Sequence, residues 1–133
     1  MQEFSSYPEA SAADKDFLLQ LCRQLDREIS DYVYEAPKGA IGTPLAAAVV
    51  SEYLNTMRLC LVEPRWEEVN ICTPKEALTG VGLRRMCVTM AEEESYVLVF
   101  DPVAMKYHLA WRGVHGLGTW GIEGNGVECF IAR

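Results

Sequence analysis

The 133-residue chain is poor in the groups that most chemistry needs. It has only two histidines, His108 and His115, and its five cysteines (Cys22, Cys60, Cys72, Cys87, Cys129) include no C-x-x-C pair. Zinc ligands usually come in such close pairs, so no metal site is expected, and nothing calls for another cofactor. The odd cysteine count and apolar neighbours, as in RLCLV and ECFIAR, fit small buried hydrophobes rather than a disulfide framework. No apolar run is long enough to span a bilayer. The opening MQEFSSYPEASAADKD lacks a basic start and an apolar stretch, so it reads as no secretion signal. Free thiols then point to a reducing, cytoplasmic setting. Bases are scarce too: 12 Lys and Arg stand against 19 Asp and Glu, a net charge of −7. A surface of this sign repels phosphate, which argues against nucleic acid and anionic membrane. It suits a basic protein as partner.

What is present describes one ordinary α+β domain, residues 11–133, behind a flexible arm at 1–10. The acid is concentrated early: residues 1–35 hold eight acids against three bases. From Ser11, which with Asp14 suits a helix start, the apolar residues Phe17, Leu18, Leu21, Cys22, Leu25, Ile29 and Tyr32 recur at spacings of three and four. That spacing predicts an amphipathic helix over about 13–33. Pro37, Gly39 and Gly42 interrupt it. Thr43-Pro44 restarts a second helix through LAAAVVSEYLNT. The period then changes. MRLCLV and WEEVNIC read as two strands turned by Glu63-Pro64-Arg65, with a short helical turn at Thr73–Leu78. LRRMCVTM, YVLVF and KYHLAW read as three more strands, broken at Ala-Glu-Glu-Glu-Ser and at Asp101-Pro102. Short connections favour antiparallel neighbours. The expected fold is α+β, with two N-terminal helices packed on one face of a mostly antiparallel sheet of about five to six strands.

The stretch HGLGTWGIEGNG places Gly116, Gly118 and Gly121 at the G-x-G-x-x-G spacing of a dinucleotide-binding turn. That turn needs a helix to follow it, and here Ile-Glu-Gly-Asn-Gly follows instead. The preferred reading is a loop at 113–119, a short strand at Thr119–Ile122, and a hairpin turned by Asn125-Gly126. VECFIAR is then the returning strand.

No catalytic constellation stands out. Glu92-Glu93-Glu94 reads as a solvated turn. His115 and Cys129 could form a nucleophilic pair only if the fold joined them. Trp111 is expected in the core, and Trp120, among glycines, near the surface. In size, charge and α+β build the chain resembles the small acidic immunity proteins of bacteria. The resemblance is one of general character and carries no residue roles. It implies a module that neutralises a basic toxin or enzyme by covering its active site with carboxylates. The candidate contacts are Asp26, Asp31 and Glu35 at the end of the first helix, Trp66, Glu67 and Glu68 near the first hairpin, and Trp120. Two other classes stay open. One is a small-molecule binder or enzyme with a pocket near loop 113–126. The other is an adaptor or assembly subunit, such as a homodimer paired through a sheet edge.

Overall fold

A computed structural model describes residues 12–34, 46–79 and 82–132. The expected arm at 1–10, the helix starts at Ser11 and Thr43-Pro44, and Glu35 lie outside them. The elements run α1 (Ala12–Asp31), α2 (Ala47–Cys60), β1 (Leu61–Ile71), α3 (Pro74–Ala77), β2 (Leu83–Glu93), β3 (Tyr96–Asp101), β4 (Lys106–Gly113), β5 (Gly116–Gly124) and α4 (Gly126–Ile131). The fold is α+β with a five-stranded sheet, antiparallel from β1 through β5.

The sheet does not stay open: β1 and β5 pair in parallel and close it into a barrel. Strand alternation then separates two cores. The inward residues Val69, Cys87, Val97, Val99, Ala110 and Leu117 come from all five strands. They are small or medium in size, as a narrow five-stranded barrel demands. The outward residues Val88, Met90, Leu98, Phe100, Tyr107 and Leu109 lie under the helices, with Leu21, Leu25 and Ile29 of α1 and Met57 of α2. The spacing read for α1 is thus the stripe that it buries.

Three elements differ from the sequence expectation, each for a local reason. First, α2 runs to Cys60 and β1 starts at Leu61, so MRLC is helical and Pro64 lies inside a strand. Proline is tolerated there because the β1 ladder shifts register between Leu61 and Arg65, and β5 pairs only with Val69 and Asn70. Of the first expected strand only Leu61 and Val62 are extended, and they run on through Pro64 into the second as the single strand β1. Second, β2 extends through Glu93, and the chain turns at Glu94, where φ is 55°. Glu92 and Glu93 are therefore strand residues rather than a solvated turn.

Third, VECFIAR is no strand: Gly126–Ile131 is helix α4. Asn125 is its N-cap, and the Asn125 side chain accepts a hydrogen bond from the Glu128 amide at 2.8 Å. Asparagine favours helix caps as strongly as it favours tight turns, and here the cap wins. Glu28 of α1 supports the same end, accepting from the Val127 amide at 2.6 Å. Val127, Cys129 and Phe130 are buried against β4, α1 and α2, and Phe130 is the largest fully buried side chain. Gly126 sits so close to α1 that a Cβ there would come within 2.7 Å of Leu25 Cδ1.

Candidate functional site

The glycine-rich stretch is strand β5, not a loop, and its hairpin with β4 turns at Val114-His115. Leu117 and Thr119 point into the barrel, so Gly116 and Gly118 fall on the outer face. That face lies over the closing seam, which consists of two residue pairs, Val69 with Leu117 and Asn70 with Gly118. Beyond them the Thr119 hydroxyl extends the seam. Its oxygen accepts from the Cys72 amide at 2.9 Å, and the hydroxyl donates to the Cys72 carbonyl at 3.3 Å.

An open groove of about 530 Å³ runs over this seam. Its floor is the backbone of Gly116 and Gly118, and its walls carry Trp111, Trp120, Thr79 and Arg84. Trp111 pairs across the ladder with Gly118, yet its ring does not cover that glycine. A Cβ built on Gly118 would meet only the Asn70 carbonyl oxygen, at 3.9 Å. The indole lies instead near Gly113, where Cδ1 is 3.7 Å from a built Cβ. Tyr96 braces both tryptophans, edge-on to Trp111 at 5.0 Å and tilted against Trp120 at 6.3 Å. Trp111 is 46 % exposed, contrary to the expectation of a core position. β4 carries it past the part of the sheet that the helices cover. Trp120, expected near the surface, is half-buried. At the far end of β5, Gly121 has φ +107° and a Cβ there would lie 2.7 Å from the Pro74 ring, so only glycine fits.

Among the described residues, the expected partner-binding side chains sit in different settings. Asp26 is paired with Arg58 at 2.6 Å, and Asp31 is exposed at the end of α1. Trp66 stacks on Phe17 at 6.0 Å beneath α1, its indole nitrogen buried without a hydrogen bond. Glu67 turns into one mouth of the barrel, where Arg112 grips it with two nitrogens at 3.0 and 3.1 Å and Thr89 donates at 2.8 Å. Arg65 and Glu92 complete this cluster. Burial raises the Glu67 pKa, but the bonds from Arg112 and Thr89 outweigh it and hold the carboxyl below its usual range. Glu67 is therefore spent on structure. Glu68 points outward and pairs with Arg84 at 3.0 Å beside the groove.

The other barrel end is closed by a second charged array. Asp101 is almost fully buried; it accepts from Arg85 at 2.5 Å and from the amides of Val103 and Ala104. His108, equally buried, has Nε2 at 3.4 Å from Asp101 and Nδ1 at 3.7 Å from Glu123, and neither nitrogen makes a hydrogen bond. Burial lowers the His108 pKa, and the attraction of Asp101 and Glu123 does not offset it. For Asp101 burial acts upward, but the two amides and Arg85 prevail and hold it low.

The His115–Cys129 pairing does not form. His115 lines the groove, whereas Cys129 lies in the helix-covered core with its thiol pointing to the Tyr107 carbonyl. Burial pushes the Cys129 thiol up to about 12, which leaves it no nucleophile. None of the five cysteines forms a disulfide. Among the described residues no group of three or more His, Cys, Asp or Glu side chains is placed to hold a metal ion, and no helix is long and apolar enough to cross a membrane. Sequence reasoning missed Trp111, Arg84 and Asn70. The available signal was strand parity: glycines at 116 and 118 vacate one face of β5. No protein-family model, curated protein or solved structure matches the chain.

Proposed function

We propose that this protein is a small binding protein whose recognition site is the groove over the β1–β5 seam. The observation that carries this reading is the uncovered glycine floor beside a half-exposed tryptophan. An exposed indole next to open backbone is a surface that a ligand can complete, and the groove volume is in the range of small-molecule sites. Tyr96 packs against both tryptophans, and Thr119 adds two hydrogen bonds to Cys72 at the seam beneath the groove. Cysteines without a disulfide suit work in a reducing compartment such as the cytoplasm.

The test is a thermal-shift screen of a metabolite library, repeated on Gly118→Leu. That substitution fills the floor from a position with open space above it. A compound that raises Tm by several degrees in the wild type and not in the variant supports the reading, because ligand bound only to the folded state stabilises it. Compounds that stabilise both proteins equally would place recognition elsewhere.

A second reading, the immunity-type neutraliser of a basic toxin or enzyme, is favoured by one observation. Helix α4 brings Glu128 toward the acidic end of α1, which carries Glu28 and Asp31. Glu28 caps α4, and Glu128 acts, with burial, to raise the Tyr32 pKa. This acidic end keeps Asp31 of the contact set expected from sequence and adds Glu28 and Glu128. It would be used in salt-sensitive binding to a basic protein.

A further inference from the structure

The groove has a charge character opposite to that of the whole chain. The net charge is −7, yet no Asp or Glu is among the described residues that line the groove; its ionisable side chains are Arg84, His115 and the Cys72 thiol, whose pKa burial raises. Arg84 is the permanent cation. It is held by Glu68, which is not a lining residue, through one nitrogen at 3.0 Å, with both side chains more than half exposed. A pair so exposed is weak, and a guanidinium has five N–H donors with room for a second acid. Arg84, Asn70, Gly118 and Trp111 are successive partners across four strands, so the cation and the Trp111 indole stand on opposite sides of the groove with Asn70 and Gly118 between them.

We propose that the groove takes a small ligand with a planar unsaturated ring and one acidic group, a carboxylate or a phosphate. This rests on the binding-groove reading above. The ring lies over Gly118 against Trp111, where a flat face can meet the open backbone and stack or pack edge-on against the indole. The acidic group lies on Arg84, whose planar fork matches the geometry of carboxylate and phosphate oxygens. Glu68 then acts as an internal competitor: it holds Arg84 in place and weakens its grip on an incoming anion.

The experiment uses a matched pair of fluorescent probes, anilinonaphthalene sulfonate and its uncharged parent phenylnaphthylamine, titrated into the full chain. Variants are Gly118→Leu, Trp111→Ala, Arg84→Glu and Glu68→Gln, each checked for an unchanged circular-dichroism melt. Because Arg84, Glu68 and Trp111 are exposed, at least these three should fold. The expected result is that Gly118→Leu and Trp111→Ala weaken both probes. Arg84→Glu should weaken the sulfonate about tenfold and the neutral probe less than about twofold, and Glu68→Gln should tighten the sulfonate about threefold. Displacement by naphthoate or by adenosine monophosphate then separates carboxylate from phosphate. If both probes respond to the groove variants but equally to Arg84→Glu, the groove reading stands and the anion preference fails. If neither probe responds to Gly118→Leu or Trp111→Ala, both fail together.

Discussion

His108 is the residue with the clearest pH signature. It is buried between two carboxylates without a hydrogen bond, and its pKa is below the ordinary 6.5. The unfolded chain therefore takes up a proton, as pH falls below 6.5, that the folded chain refuses. Stability is full above that value and is lost progressively on acidification, down through the folded pKa. Asp101 and Glu67 also titrate low, so their contributions persist to more acidic conditions and fade below their ordinary values of 3.8 and 4.5. Urea denaturation from about pH 8 down to about pH 2 should thus show two regimes. In His108→Gln the decline near neutrality should vanish while the acidic decline remains. A wild-type midpoint flat from neutrality down to the carboxylate range would contradict the burial argument.

Among the elements, α4 is where sequence and structure part most sharply. Asn125-Gly126 satisfies two local codes, the tight turn and the helix cap, and a six-residue apolar segment has no period long enough to choose between them. Tertiary context decides: α1 supplies Leu25 above Gly126 and Glu28 at the Val127 amide, nearly a hundred positions away in sequence. Long periodic segments were legible, as the Leu21–Leu25–Ile29 stripe of α1 shows. The apolar runs YVLVF and KYHLAW, each bounded by turn residues, placed β3 and β4. The groove was not legible, because Trp111, Gly118 and Arg84 meet only through strand register and barrel closure. The cap makes a direct test. Asn125→Ala should cost about 1 kcal/mol, whereas Asn125→Ser should cost less, because serine still accepts from the Glu128 amide. Chemical denaturation reads the difference. Equal loss in Ala and Ser variants would contradict the capping role.

At the scale of the whole molecule, the barrel is an antiparallel meander whose ends are joined by a short parallel seam. The hairpins β2–β3, β3–β4 and β4–β5 pair neighbours in sequence, but the seam joins Cys72 to Thr119 across 47 residues. Distant contacts are entropically the last to form and the first to open. Hydrogen exchange should therefore find the Cys72 amide less protected than those of Val97–Phe100 in the central strand β3, and uniform protection across the sheet would contradict this ordering. The groove lies directly over the seam, with Asn70 on one side and Gly118 on the other. A bound molecule would span the joint of the barrel. Occupancy would then be felt as a clasp, slowing the opening of the cylinder along its length and making the sheet's own mechanical integrity the readout of whether the site is filled.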